Sequence, residues 1–190
     1  MSSSGKSRPN RSSYYDIDDI LIESEPVTVS FRIDATDLGY LDPNGISDDV
    51  KEDAKVQVPF WLAESLKKRN VVDINIPDYL GKAFEKNFLA EPEAMDLRER
   101  CPPHFYELGQ RLSELFQDPS ITGMLLKGLG ARFREIIVRS TVWRANTHAP
   151  FVSKLALLEE EILNTKHDAE RAIYKWRTGD KRYRKRKKYS

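Results

Sequence analysis

The chain has 190 residues, of which 39% are hydrophobic and 10% aromatic, and a formal net charge of +1. This composition supports a folded core and argues against a wholly disordered protein. No run of about 18 apolar residues occurs, so we expect no membrane-spanning segment. The polar N-terminus lacks the apolar stretch of a secretory signal, and the single cysteine, Cys101, cannot form a disulfide within the chain. Both features indicate a cytosolic or nuclear protein.

The small net charge hides two segments of opposite charge that cancel each other. Residues 14–55 carry twelve acidic and three basic side chains, a net charge of −9. Residues 171–190 carry ten basic side chains and one acidic side chain, a net charge of +9. Because charges act over about 10 Å at physiological salt, the positions of the charges say more about partners than the net charge does.

The chain begins with a predicted flexible basic arm at residues 1–13. A short helix follows, since Ile17, Ile20 and Leu21 recur at the spacing of one helical face. Asp16 precedes them and is placed to cap the helix by accepting a hydrogen bond from a backbone N–H.

Alternating apolar and polar residues predict three strands within a small α/β domain at residues 14–77. The strands are expected at residues 27–33, 54–58 and 71–76. The last apolar residue of the first strand is Ile33. Residues 34–53 then contain seven acids and an Asp-Pro-Asn-Gly turn signal, which predict a solvated acidic loop.

A helix is predicted directly after the second strand. Pro59 fits its first position, where the missing N–H has no helical partner to lose. We expect this helix to bury Phe60, Trp61 and Leu62 and to be anchored through them on the apolar strand face.

After Pro77 the apolar spacing changes from two residues to about 3.6, which predicts an all-helical domain at residues 78–178. Its helices are expected at residues 79–89, 104–117, 120–140 and 150–177, with a broken connector at 91–103. The apolar stripes are wide for a four-helix packet, and such faces either pack within the chain or meet a partner chain. The predicted fold class is therefore α+β, with a small β-rich domain before an all-α domain.

The sequence offers little that would form an active site. Its three histidines are scattered, and no zinc or calcium motif is present. Gly123, Gly128 and Gly130 lack the Lys-Ser/Thr ending of a phosphate-binding loop and are expected to allow close helix packing. We therefore expect a protein that is not an enzyme and needs neither a cofactor nor a metal.

The basic tail at residues 179–190 contains seven cations within nine residues. Three interpretations remain open: a nuclear-import signal, a contact with nucleic acid, or solvation of a chain end. The residues concerned are Lys181, Arg182, Arg184, Lys185, Arg186, Lys187 and Lys188.

Four short motifs stand out along the chain, namely YDIDDIL (15–21), VPFWLA (58–63), PHFY (103–106) and ARFR (131–134), and a terminal KRKK cluster follows them. In this order and at these separations they resemble the PSF-three type of subunit of the eukaryotic GINS complex. The resemblance extends over about residues 14–190. Residues 34–53 match no feature of the family, so no role carries over to them.

The resemblance implies a small B-type domain ahead of a helical A-type domain, in a non-catalytic scaffold subunit. It implies a heterotetramer with three paralogous GINS subunits. It also implies assembly with the MCM hexamer and the cell-division-cycle forty-five factor into the CMG helicase, which unwinds DNA at replication forks in the nucleus. Contact of this chain with DNA would be indirect or weak. The alternative function is a nucleic-acid-binding accessory module that acts through the basic tail.

The resemblance also places the subunit interface on the long helices of the helical domain. Aromatic residues and arginine are enriched at such interfaces, and the planar guanidinium pairs well with carboxylates. An ordinary core or surface position remains the alternative for the same side chains. The candidates are Phe105, Tyr106, Leu112, Arg132, Phe133 and Arg134.

Overall fold

The computed structural model describes residues 16–41, 49–141 and 149–178. The predicted arm, the turn at 42–45 and the basic tail, with Lys181, Arg182 and the five cations at 184–188, lie outside the described residues. The chain divides after Asp78 into two compact units, which we call the small unit and the helical unit. The small unit contains an antiparallel sheet and the helical unit contains helices, so the predicted α+β class is confirmed.

The small unit is built on a three-stranded sheet. Its strands are β1 (Pro26–Phe31), β2 (Lys55–Pro59) and β3 (Val72–Ile74), in the order β2–β1–β3. Val29 of the central strand pairs with Val56 on one side and Ile74 on the other, and Phe31 pairs with Val72. All five side chains are buried, which is the face that the alternation predicts.

Two helices accompany the sheet. Helix α1 (Ile17–Ser24) begins after Asp16, whose carboxylate accepts the backbone N–H of Asp18 at 3.2 Å, so the predicted cap is confirmed. Helix α2 (Phe60–Lys68) packs against all three strands and against α1.

The prediction that Trp61 anchors α2 is wrong. Its side chain is 52% exposed and Leu62 is half-buried, whereas Phe60 and Ala63 are buried. Pro59 is the N-cap rather than the first helical residue, so α2 begins at Phe60. Because successive side chains turn by about 100° around a helix, Phe60 faces the sheet and Trp61 is directed away from it.

The predicted ends of the first strand and of the acidic loop differ from the observed ones. β1 ends at Phe31 and Ile33 is exposed, because β3 begins at Val72 and offers no strand residue opposite Ile33. The described ends of the predicted acidic loop, residues 34–41 and 49–53, are joined by a backbone pair beyond the ends of β1 and β2. Ala35 and Val50 exchange backbone hydrogen bonds of 2.8 and 2.9 Å, and Val50 is buried.

The helical unit contains six α-helices among the described residues. They are α3 (Lys82–Ala90), α4 (Leu97–Arg100), α5 (Phe105–Phe116), α6 (Pro119–Thr141), α7 (Ala149–Val152) and α8 (Leu157–Arg177). The ring of Phe105 lies at the centre of an aromatic cluster, with centroids 5.8 Å from Phe84 and 6.0 Å from Phe88. No helix in the described ranges is both long and apolar enough to cross a bilayer.

The glycine prediction is confirmed at one of its three positions. A Cβ on Gly128 would lie 2.0 Å from a ring atom of Phe88, so the α3 ring packs directly on the backbone of α6. The space around Gly123 and Gly130 is open, and the prediction of close packing is wrong for both.

The single helix predicted at 150–177 is interrupted between α7 and α8. The carbonyl of Lys154 accepts the N–H of Leu97 at 3.1 Å and the Nη2 of Arg132 at 3.3 Å. These tertiary hydrogen bonds take the place of helical ones, and α8 starts afresh after Ala156. The connector before α5 also holds a helix that was not predicted, α4, which buries Leu97.

Candidate protein–protein interface

A buried ion pair lies at the centre of the helical unit. Arg132 of α6 and Glu159 of α8 are 3% and 0% exposed. The guanidinium donates from Nε to Oε1 at 2.6 Å and from Nη2 to Oε2 at 2.9 Å, which is the bidentate geometry of the strongest charge-assisted hydrogen bonds. Tyr106 donates its hydroxyl to Oε1 at 2.6 Å, and the N–H of Ala156 donates to Oε2 at 3.1 Å. The carboxylate is therefore fully supplied with donors.

The guanidinium of Arg132 also binds two connectors, which are the irregular segments just before α4 and just before α8. Its Nη1 donates to the carbonyls of Pro92 and Met95 at 2.6 and 2.8 Å, and its Nη2 reaches Lys154. Burial alone would lower the pKa of Arg132, but the hydrogen bonds and charge of Glu159 outweigh it and raise this pKa. One side chain thus joins α6, α8 and two irregular segments.

Two further ionisable groups near the pair stay protonated. Burial, with the charge of Glu159, holds the pKa of Tyr106 far above its usual range. Burial also raises the pKa of the Cys101 thiol to about 12. Neither group is available as a nucleophile or a base near neutral pH, so the cluster is suited to holding the fold.

Four of the six predicted interface residues are buried inside the chain. Phe105 and Leu112 are fully buried, and Tyr106 and Arg132 belong to the buried cluster. The prediction is wrong for these four. The apolar stripe of α5 is covered by other helices of the same unit, and Arg132 of α6 is paired with Glu159 inside the chain. Phe133 and Arg134 lie on the surface of α6. These two remain available to a partner.

The exposed side of α6 carries a second apolar stripe. Leu126 is 64% exposed, Phe133 is 45% exposed and Ile137 is half-buried. With Gly130 they follow the spacing i, i+4, i+7 and i+11, which places them on one helical face. Because a Cβ at Gly130 would meet nothing within 4 Å, the backbone there is open to close approach. We call these four residues the α6 outer face.

The last turns of α8 are also uncovered. All residues from 168 to 178 are exposed, including Ile173 and Trp176, which continue the stripe that begins at Leu158 and Ile162. The basic tail, for which nuclear import, a nucleic-acid contact and solvation of a chain end remain open, follows this helix but lies outside the described residues.

Sequence reasoning missed both the ion pair and the α6 outer face. A signal existed for the pair, since Glu159 lies four residues from both Leu155 and Leu163 and interrupts an apolar stripe. Leu126 lies beside Leu125, and the sequence alone does not tell which of the two is buried. Among the described residues, no group of three or more His, Cys, Asp and Glu side chains could hold a metal.

Comparison with known proteins finds a family model and several relatives that all carry the PSF3 description. Residues 15–68 match the family model of the PSF3 N-terminal domain. A Phaeosphaeria nodorum protein named DNA replication complex GINS protein PSF3 is 32% identical over 179 residues, covering 90% of this chain and 99% of that protein. The Xenopus laevis protein of the same name is 26% identical, covering 87% of this chain and 80% of its own length. A probable PSF3 of Dictyostelium discoideum is 29% identical over 89% of this chain, which spans 64% of that protein.

Proposed function

Because this chain belongs to the PSF3 family of DNA replication complex GINS proteins, we propose that it is a subunit of a GINS complex and acts there as a non-catalytic scaffold. The observation that supports the scaffold role is the α6 outer face, an apolar helical surface that is only partly covered by the described part of the chain. Exposed apolar patches of this kind mark protein–protein contacts. The ion pair of Arg132 and Glu159 is buried inside the helical unit, where Arg132 binds backbone carbonyls of neighbouring segments.

In this proposal the two parts of the chain have different roles. The small domain at 14–77 is the B-type domain, and the helical domain at 78–178 is the A-type domain. The α6 outer face receives helices of the three paralogous GINS subunits, with Phe133 filling a hole on the facing helix and Arg134 pairing with a carboxylate at the rim. The open backbone at Gly130 allows the facing helix to approach closely.

The assembled tetramer would work in the nucleus. There it joins the MCM hexamer and the cell-division-cycle forty-five factor in the CMG helicase, and ATP hydrolysis belongs to the MCM motor. The contribution of this chain is to position partners during initiation and fork progression. The names of its relatives as DNA replication complex proteins support this assignment.

Co-expression of the four subunits tests the scaffold role. We expect Leu126→Ser/Phe133→Ser to abolish co-purification of the other three subunits, because both substitutions place a hydroxyl in a desolvated helix contact. Leu89→Ser is the matched control, since Leu89 is a partly exposed leucine on α3. A tetramer that forms at normal yield with the double variant would contradict the proposal.

A second function is favoured by the end of α8. Arg171, Tyr174, Lys175, Trp176 and Arg177 are all exposed, a combination of cations and aromatic rings that suits a nucleic-acid contact. Deletion of 179–190 should reduce affinity for duplex DNA. If each of the seven cations neutralises one phosphate, their removal should make the slope of log affinity against log salt shallower by about 6. If the intact complex has no measurable affinity for DNA, nuclear import remains as the role of the tail.

A further inference from the structure

Helix α1 of the small unit carries its apolar stripe on the solvent side. Ile17, Ile20 and Leu21 are 71%, 52% and 50% exposed, although they share one helical face. The helix is held through Ile22, which is 4% exposed and is turned about 100° from Leu21. At least half of the surface of each stripe residue is therefore left open to solvent.

Exposure of three aliphatic side chains on two turns is unusual for an amphipathic helix. A surface helix normally turns its apolar stripe toward the core and its polar side toward water. In α1 the stripe is exposed while the cap at Asp16 and the packing of Ile22 fix the rotation of the helix. A partner that covers the stripe would find it already helical and already oriented, so little ordering would be needed on this side.

The charges around the stripe restrict what can cover it. Residues 16–25 contain five acids, and no lysine or arginine occurs between residues 14 and 31. Within the segment of α1 itself, this charge disfavours nucleic acid and anionic lipid surfaces. It also disfavours a second copy of α1, because a two-fold contact would bring the same carboxylates together. The complementary partner is cationic and apolar.

We propose that α1 is a docking site for an amphipathic segment of another protein, in which lysine or arginine residues border an apolar stripe. Ile17, Ile20 and Leu21 provide the desolvated centre, and the acids at the rim provide attraction and orientation. This inference goes beyond the proposed function, because it concerns the small unit and uses no part of the α6 outer face.

The proposal is tested with a synthetic peptide and the full chain in its co-purified complex. The probe is a fluorescein-labelled helical peptide of about 15 residues, with leucines at i, i+3, i+4 and i+7 and flanking lysines. Its twin has glutamate at every lysine position. Fluorescence anisotropy should give at least about tenfold tighter binding for the lysine peptide.

Variants of α1 locate the binding site. Ile17→Ser/Leu21→Ser should weaken binding of the lysine peptide at least about tenfold, while Ile33→Ser, an equally exposed isoleucine of the same unit, should leave it unchanged. Asp18→Asn should weaken binding about two- to threefold at low salt and have no effect at high salt. Circular dichroism of each variant checks that the helices remain.

Three results would overturn the proposal: equal affinity for both peptides, equal affinity of the α1 variant and the Ile33 variant, or no binding by the unmodified chain. Failure of the proposed function would give a different result, namely loss of co-purification of the four subunits. If the four subunits do not co-purify, the peptide titration is run on the full chain alone, and the α1 variants still decide it.

Discussion

Removal of the Arg132 side chain should be the most damaging single change in the helical unit. Arg132→Ala leaves the carboxylate of Glu159, which is 0% exposed, without its cation. The hydroxyl of Tyr106 and the N–H of Ala156 still donate to it, so part of the solvation is kept. Breaking a buried ion pair by removing one partner costs about 3–5 kcal/mol, and we expect the free energy of unfolding to fall by that amount.

Urea unfolding of the full chain, followed by circular dichroism, measures this change. Arg134→Ala is the matched control, an exposed arginine on the same helix, and should change stability by less than about 0.5 kcal/mol. Arg132→Met combined with Glu159→Leu should cost less than Arg132→Met alone, because the unpaired carboxylate is removed as well. A loss below about 1 kcal/mol for Arg132→Ala, or strict additivity in the double variant, would refute the reasoning.

Three further predictions concern other parts of the chain. Gly128→Ala should lower the free energy of unfolding by about 1–3 kcal/mol, since its Cβ meets an aromatic ring of α3. Gly130→Ala should raise the free energy of unfolding by about 0.5–1 kcal/mol, because alanine has the higher helix propensity and the space around this position is open. Urea unfolding midpoints measure both changes. Hydrogen bonding from Arg32 holds the pKa of Asp73 well below its usual range, so the pair stabilises the small unit above about pH 4 and the effect is lost as pH falls through the folded-state pKa. Thermal unfolding of Asp73→Asn should therefore differ from wild type near neutral pH and converge with it in acid, and a constant difference would contradict this. Trp61→Ala should cost less than about 1 kcal/mol, and a loss of several kcal/mol would show that this ring is an anchor after all.

The helices and strands could be predicted from the periodicity of the sequence, whereas the rotation of each helix about its own axis could not. Alternation identified the buried face of β1, because a period of two leaves only two choices. On a helix, neighbouring residues differ by about 100°, so a shift of one position at the start of α2 exchanges Phe60 for Trp61 at the sheet. The same ambiguity separates Leu125 from Leu126 on α6.

Four of the six interface candidates failed for a related reason. An aromatic residue followed by a tyrosine at the start of α5 fits a partner contact as well as a core. Only the tertiary structure reveals that α3, α6 and α8 already cover Phe105 and Tyr106. Arg132 was assigned a salt bridge at a subunit contact, but its carboxylate partner lies in the same chain, 27 residues away in sequence. Pairing at that distance has no local sequence pattern.

The hydrogen bonds of Arg132 to Pro92, Met95 and Lys154 have a consequence for how this protein can vary. All three acceptors are main-chain carbonyls, which every amino acid supplies. The three residues that supply these carbonyls can therefore change identity as long as the backbone of the two connectors keeps its path. Insertion or deletion of a single residue would move the carbonyls away from the guanidinium. Surface loops usually tolerate insertions and deletions. These two connectors should not, although residues 92, 95 and 154 themselves can vary.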